Sequence, residues 1–554
     1  MPSTPTTKSQ VQAYKFVLRR MQSALVRRDA VMLHDPMRTH TRATVVGICL
    51  AAVGLVGFLV WGLLSSSPTL PSQNGIVISK ESGTVYVLLN NPRKLIPTFN
   101  LASARLLLLA QTQQAGGGAQ PQQQNAATTE VAEPTVVSDK DLQDVPKGRL
   151  MGIQDGPQLL PGPDQRISDD WAVCDAYQLD HGLNDPAQNH VVKTTVLAGV
   201  HDLGEPLGDN RGLLVQSDHG ENYLIYHLTT TANEQLTDTV RAKVNLNERA
   251  VINAFNLSNA SGRPRHITTA LLNAIPEVPP LTAPQLAGKG EQPTQRVHDF
   301  TVGTVFAVQD TSSGRVEEDY YVQEKDGIQQ IKSTTAQLIR FSGSETPPTM
   351  ATVRPDETNG INRVSHVNEL NIPATAPEVL DQNSFPVACL GWNRPNAQTD
   401  GHTTVYVNKE SNGVPIPKDK VPPGYLGVPI SSPSADHLRV DYFYMPPGRA
   451  AVVRGASSAR DYGSGPIYLV SDRGVKFGVP DAGTAAALGL SDQHPAPISI
   501  VRLLPDGAGL NTRAVLQSYD TVPVGPGTYE TPNPSSAPNS PQSGGDQSGG
   551  QPGG

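Results

Sequence analysis

The stretch TVVGICLAAVGLVGFLVWGLL, from Thr44 to Leu64, holds 21 residues without one charge. As a helix rising ~1.5 Å per residue it is about 31 Å long, enough to cross the hydrocarbon of a bilayer while satisfying its own backbone polar groups. Trp61 falls where an interfacial aromatic belt would place it. Lys8, Lys15, Arg19, Arg20, Arg27, Arg28, Arg38 and Arg42 precede the stretch, and the first basic residue after it is Lys80. The positive-inside rule therefore predicts a cytoplasmic N-terminus, one span in the inner (plasma) membrane and a C-terminal bulk in the periplasm. A cleaved signal peptide is the rival reading. It is opposed by the 43 leading residues, by the length of the apolar run and by Ser65-Ser66-Ser67-Pro68, which has no small-x-small cleavage pattern.

The charge of the chain is divided at the same place. Residues 1–43 carry eight basic and two acidic side chains, which leaves 35 basic and 49 acidic beyond them. No concentrated Lys/Arg patch follows the arm, so nucleic acid is not an expected partner. Within the arm, Val11, Tyr14, Leu18, Met21 and Leu25 recur at helical spacing, with Lys15, Arg19, Arg20, Arg27 and Arg28 mostly off that stripe. The pattern predicts an amphipathic helix, either lying on anionic lipid or docking a neighbouring membrane subunit.

Of three cysteines, Cys49 lies inside the span, leaving Cys174 and Cys389. Trp171 stands three residues before one and Trp392 three after the other. In an oxidising compartment two such thiols are expected to pair; the alternative is two unrelated buried thiols.

Internal similarity supplies the rest of the layout. Val85–Leu89, a turn at 90–94, Leu95–Pro97 and Leu101–Leu109 match Ile467–Val470, a turn at 471–474, Val475–Pro480 and Ala485–Leu490. Weaker copies run from Leu213 through Tyr226 and from Tyr320 through Ile331. Each reads as a β-hairpin followed by a helix. The chain is thus expected to be α+β, with four small β-rich repeat modules around a central core that holds both soluble cysteines. The predicted boundaries are a basic arm 1–43, span 44–64, repeat one 65–110, low-complexity linker 111–148, core 149–212, repeat two 213–284, repeat three 285–378, core 379–450, repeat four 451–523 and a disordered tail 524–554.

A search for chemistry finds no local signature. There is no G-x-x-x-x-G-K-[ST], and Gly288-Lys289-Gly290 lacks both the first glycine spacing and the hydroxyl. G-x-S-x-G, H-E-x-x-H and C-x-x-C are also absent. His219 and His227 sit eight apart but on separate turn and strand positions, and Asp169-Asp170 and Glu317-Glu318-Asp319 read as solvated faces or caps. No catalytic residue, metal ligand or cofactor is assigned.

The order of the basic arm, His34-Asp35-Pro36-Met37-Arg38 before the span, Gly75-Ile76-Val77-Ile78-Ser79-Lys80, Glu133-Pro134-Thr135-Val136-Val137-Ser138-Asp139 and Gly148-Arg149-Leu150-Met151-Gly152-Ile153 resembles the EccB family. That family is a membrane component of actinobacterial and mycobacterial type VII (ESX) secretion systems. The resemblance covers residues 8–520 and implies a core disulfide at Cys174 and Cys389, self-association through the periplasmic region, and assembly with an EccC-type motor ATPase, EccD and EccE. Some members are described as ATPases, so ATP enters by resemblance alone. Three functions follow as expectations: a structural subunit that anchors and builds the periplasmic part of the secretion complex, an ATP-hydrolysing subunit without a standard Walker motif, and a peptidoglycan-binding envelope protein.

Overall fold

The computed structural model describes residues 7–28, 36–64, 70–115, 131–188, 191–228, 239–257, 264–310, 317–342, 349–395, 400–409, 415–416, 425–430, 438 and 440–519. The chain forms two units that divide after Leu70. The first contains helices α1 (Lys8–Arg27) and α2 (Pro36–Leu64). Apolar residues Val45 to Trp61 of α2 are exposed, as a lipid-facing helix requires. Among the described residues the second unit is built from five sheets.

Sheet 1 takes β1 (Gly75–Ser79), β2 (Val85–Asn90), β3 (Arg93–Thr98), helix α3 (Leu101–Ala115), β4 (Pro134–Val137), the short helix α4 (Asp139–Leu142) and β5 (Leu150–Met151). The central sheet begins with β6 (Asp170–Tyr177), β7 (Val192–Ala198) and β8 (Glu205–Pro206). Sheet 2 comes next with β9 (Arg211–Gln216), β10 (Asn222–His227), β11 (Thr239–Lys243), α5 (Arg249–Ala254), β12 (Arg265–His266), α6 (Thr269–Ala274) and β13 (Glu277–Val278). Sheet 3 has β14 (Val305–Asp310), β15 (Glu317–Gln323), β16 (Ile328–Ile331), α7 (Ser333–Phe341) and β17 (Ala351–Val353). The chain then adds β18 (Glu378–Val379) beside β9 and returns to the central sheet through β19 (Val387–Asn393), β20 (His402–Asn408), β21 (Val428–Pro429) and β22 (Tyr442–Tyr444). Sheet 4 has β23 (Ala450–Ala456), β24 (Ile467–Ser471), β25 (Lys476–Val479), α8 (Ala482–Leu488), β26 (His494–Pro497) and α9 (Ile498–Val501). Finally α10 (Thr512–Val515) and β27 (Ser518–Tyr519) bring the chain back to sheet 1, where β27 pairs with β5.

The four small sheets share one connectivity. Three strands run antiparallel in succession, a helix crosses, and a fourth strand lies parallel to the first: β1 with β4, β9 with β12, β14 with β17 and β23 with β26. A second short helix comes after it, then a stretch that pairs parallel with the third strand. One hydrogen bond recurs at that point. The amides of Leu95, Arg241, Ile328 and Lys476 donate to the carbonyls of Pro146, Pro276, Asn362 and Pro505, at 2.8–3.0 Å. Each acceptor lies eight residues after the residue that opens its second short helix: Ser138, Thr268, Arg354 and Pro497. Proline suits this place because its carbonyl is the group used and no donor is needed there.

Composition decides which surface each helix covers. The first helices pair across sheets, α3 with α8 and α5 with α7. Ala102, Leu106 and Ala110 share one core with Leu469, Phe477 and Leu488, and Val251 and Phe255 share another with Leu338. The second helices of sheets 2 and 4 are apolar, and Ala270, Leu271, Ile275, Ile500 and Leu504 pack with Trp171, Leu390 and Trp392 of the central sheet. The corresponding turns of sheets 1 and 3, Asp139-Lys140-Asp141 and Asp356-Glu357, are charged and have no place in that core. At the seam where sheet 1 meets its own helix, Gly152 has φ 126°, and a Cβ there would lie 2.7 Å from Ser103, whose Oγ accepts from the Ile153 amide.

Three sequence expectations change. The 111–148 linker is partly structured: α3 reaches Ala115, and Pro134–Val137 is the fourth strand of sheet 1, because a β-branched run finds a paired edge beside β1. The segment from Leu213 through Tyr226 sits one strand out of step with the other three copies. Its tight Asp218-His219-Gly220 turn joins the first and second strands, whereas the matching turns elsewhere join the second and third. Leu150-Met151, expected in the core, belongs to sheet 1. The tail 524–554 and the glycine- and glutamine-rich segment 116–130 lie outside the described residues.

Candidate functional site

The central sheet runs β21-β22-β7-β6-β19-β20-β8 and is covered on both faces. Antiparallel register explains the mirrored Trp and Cys spacing: Trp171 pairs with Trp392 and Cys174 with Cys389, so a residue three before in one strand meets one three after in the other. Because side chains alternate, the tryptophans face sheets 2 and 4 while the cysteines face the opposite core with Ala176, Val387 and Tyr444. The two sulfurs form a disulfide across 215 residues of chain, and Cys49 is free.

On the tryptophan side, one buried polar cluster joins the central sheet to sheet 2. Asp175 on β6 accepts from Thr194 Oγ1 at 2.9 Å, from the Thr268 amide at 2.8 Å and from Thr268 Oγ1 at 2.8 Å. Burial pushes its carboxyl up from the ordinary range, against these hydrogen bonds and the Arg265 charge, which pull it down. Arg265 on β12 is 3% exposed, and its guanidinium donates to the carbonyls of Phe385 and Pro386 at 3.1 and 3.3 Å. It lies 5.3 Å from the centroid of Tyr177, whose hydroxyl donates to the His266 carbonyl and is pushed up to about 12 by burial. Asp175 and Arg265 share no direct hydrogen bond; Asp175 is held by Thr268 of sheet 2 and by Thr194 of its own sheet, and Arg265 by the carbonyls just before β19.

Between sheets 1 and 4, two arginines close the C-terminal end of α8. Arg105 of α3 donates to the Leu488 carbonyl at 2.6 Å, and Arg166 donates to Gly489 and Asp492. A guanidinium there satisfies helix-end carbonyls and complements the helix dipole. Beside them His494 meets Asp169 at 2.6 Å, and that hydrogen bond raises the imidazole above its ordinary value despite partial burial.

These clusters are joints; they do not form a nucleophile, base and oxyanion arrangement. Among the described residues no three His, Cys, Asp or Glu side chains gather in a way that would hold a metal ion. His227 pairs with Asp209 at 2.6 Å, away from any partnership with His219. Gly288 and Gly290 sit at positive φ in a turn rather than at the start of a helix, so no phosphate cradle forms there. In the arm, Lys15, Arg19, Arg20 and Arg28 are exposed, as is the stripe Val11, Tyr14, Leu18, Met21 and Leu25; for Arg27 only the helical backbone is described. Sequence reasoning misses the Asp175–Arg265 joint and the proline-carbonyl motif. The motif is findable from Val145-Pro146, Ile275-Pro276 and Leu504-Pro505 at one fixed spacing, whereas the joint converges only in space.

Among the described residues one helix is long and apolar enough to cross a membrane, and small sheets of one connectivity join a central sheet closed by a disulfide, which points to the class of single-span membrane components. A family model described as "Type VII secretion system ESX-1, transport TM domain B" matches residues 3–524, and the chain belongs to that family. It is 27% identical over 544 residues to "ESX-1 secretion system ATPase EccB1" of Mycobacterium tuberculosis (strain ATCC 25618 / H37Rv), covering 95% of this chain and 98% of the relative. It is 29% identical over 547 residues to "ESX-3 secretion system ATPase EccB3" of the same strain, covering 93% and 90%. A chain of an intact ESX-5 inner membrane complex shares the fold with a TM-score of 0.64 at 24% identity, over 96% of this chain and 99% of that one. A chain of the EccB3 dimer from the ESX-3 core complex does so with a TM-score of 0.62 at 24% identity, over 80% and 100%.

Proposed function

We propose that this type VII secretion subunit anchors the complex by α2 and builds its periplasmic part with the five sheets. The observation that carries the reading is the family match from residue 3 to 524, which includes the arm, the span and every sheet together. The basic arm lies in the cytoplasm, where α1 meets lipid or a neighbouring subunit through Lys15, Arg19, Arg20, Arg27 and Arg28. The four sheets are repeat modules of one ancestry, supported by their common connectivity and by the recurring amide-to-Pro or amide-to-Asn bond. Partners are an EccC-type motor ATPase, EccD, EccE and further copies of this chain; the existence of an EccB3 dimer supports the last.

Affinity purification of the tagged chain from membranes in mild detergent tests this assembly. Co-elution of a large motor ATPase is expected, and its absence under conditions that keep the chain intact would sink the reading. Protease added to intact spheroplasts should remove the large unit and spare the arm; the opposite pattern overturns the orientation. The relatives' names also contain the word ATPase, which favours a second reading as an ATP-hydrolysing subunit. Metal-dependent ATP turnover by the purified full chain would support that reading.

A further inference from the structure

Sheet 3 differs from its three counterparts at the acceptor of the recurring bond, which is Asn362 rather than a proline. The chain reaches that residue through a tight turn. Thr358 closes the 3₁₀ helix Pro355–Thr358 and is buried, its hydroxyl donating to the Pro355 carbonyl at 2.9 Å. Asn359 follows with φ −67° and ψ 135°, then Gly360 with φ 80°, and the Ile361 amide donates back to the Thr358 carbonyl at 3.5 Å. These are the dihedrals of a type II turn, whose third position calls for a residue that tolerates positive φ.

Asn359 and Gly360 are both exposed. Among the described residues neither the Asn359 side chain nor the Gly360 amide has a hydrogen-bond partner. Inside the turn, one long hydrogen bond is what resists rotation of their shared peptide about the Asn359 Cα–C bond. That rotation carries the Gly360 nitrogen to the Asn359 side-chain carbonyl carbon, and Gly360 has no Cβ to obstruct the approach. The same dipeptide at Asn74-Gly75 is held differently. Asn74 is exposed too, but its Oδ1 accepts from the Asn90 amide at 2.8 Å, and Gly75 is paired with Leu88 in sheet 1. A third pair, Asn412-Gly413, lies outside the described residues.

We propose that Asn359 is a site of spontaneous deamidation that loosens the edge of sheet 3. The Gly360 amide nitrogen gives its proton to hydroxide and bonds to Asn359 Cγ; the Cγ–Nδ2 bond breaks and ammonia leaves, forming a cyclic imide. Water then opens the ring at either carbonyl, yielding aspartate or isoaspartate, so the sum is one water taken up and one ammonia released. Either product places a new negative charge beside Asp356 and Glu357. Isoaspartate also inserts an extra main-chain carbon three residues before Asn362, whose carbonyl accepts from the Ile328 amide at 2.9 Å and whose own amide donates to Gln295 Oε1 at 2.9 Å. The inference is independent of the secretion role.

Ageing the purified full chain for weeks at neutral and at mildly acidic pH tests it, with peptide mass spectrometry and electron-transfer fragmentation to separate aspartate from isoaspartate. Conversion should be faster at neutral pH and at least roughly tenfold faster at Asn359 than at Asn74, the factor one good hydrogen bond is worth. In the converted fraction the Ile328 amide should exchange hydrogen faster. Asn359→Gln, at an exposed position, should block both changes, since its longer side chain closes the ring slowly. No conversion at Asn359, equal conversion at Asn74, or equal Ile328 exchange in converted and unconverted protein would each overturn the proposal.

Discussion

Replacing Arg265 by Met removes the charge from the joint between sheet 2 and the central sheet while keeping most of the side-chain volume. The Phe385 carbonyl loses the Arg265 donor, the Pro386 carbonyl keeps only the Tyr177 amide at 3.1 Å, and Asp175 stays in place without the Arg265 charge. Each buried acceptor left unmet costs about 1–3 kcal/mol. Removing the guanidinium also relieves its own desolvation, which burial makes unfavourable enough to lower its basicity. The net cost expected for breaking such a buried charged cluster from one side is about 3–5 kcal/mol. Asp175→Ala should cost a similar amount, since it strands the Thr268 amide and leaves the buried Arg265 with Asp381 as its remaining carboxylate. The double variant should lose less than the sum, with a coupling of about 1–3 kcal/mol, because neither charge is then left alone. Denaturant unfolding followed by tryptophan fluorescence supplies the energies, and hydrogen exchange should locate the loss at β12 and α6. A loss under about 1 kcal/mol for Arg265→Met, or strictly additive single variants, would refute the idea that these residues act as one joint.

Three other outcomes are expected. The disulfide closes 215 residues, for which the chain-entropy relation gives about 5 kcal/mol, so reductant or the Cys174→Ala, Cys389→Ala pair should lower the thermal midpoint by several degrees; an unchanged midpoint contradicts this. Asp169 raises the folded-state affinity of His494 for its proton, so its contribution is full below about pH 6.5 and is lost as pH rises through the higher folded value; Asp169→Asn should flatten the fall in stability seen as pH rises above about 6.5. Gly401→Ala drives a Cβ into the Trp392 ring and should cost about 1–3 kcal/mol with a change in indole emission, whereas retention of both native stability and emission would show that the strand moves aside freely.

The span and the cysteine–tryptophan pattern are legible in the sequence because both are local: an uncharged run has one physical meaning at that length, and a mirrored spacing is what antiparallel register produces. The hairpins around 85–97 and 467–479 are legible for the same reason. The first strands of sheets 1 and 4 are harder to find, since Gly75–Ser79 and Ala450–Ala456 are buried runs with no alternation to mark a face. Pro134–Val137 is hidden by its neighbours, lying just beyond a glutamine-rich stretch whose composition dominates any window. The Asp175–Arg265 joint draws on residues 90 positions apart and on carbonyls further on still, so no local pattern announces it.

The return of the chain to sheet 1 also sets a timetable for its maturation. Sheet 1 appears early in synthesis, yet its helix α3 is covered by α8 and α10, and its outermost strand is β27. At ~5–20 residues per second, roughly 20–80 s separate the emergence of Val137 from that of Val515. Throughout that interval Leu106, Leu107 and Ala110 lack their eventual cover. The part of the large unit nearest the anchor in sequence is therefore among the last to be finished. A nascent chain halted late, already inserted by α2, would present this apolar face to whatever shares its compartment, making the final 40 or so residues of the described chain (about 480–519) the step that ends its vulnerability.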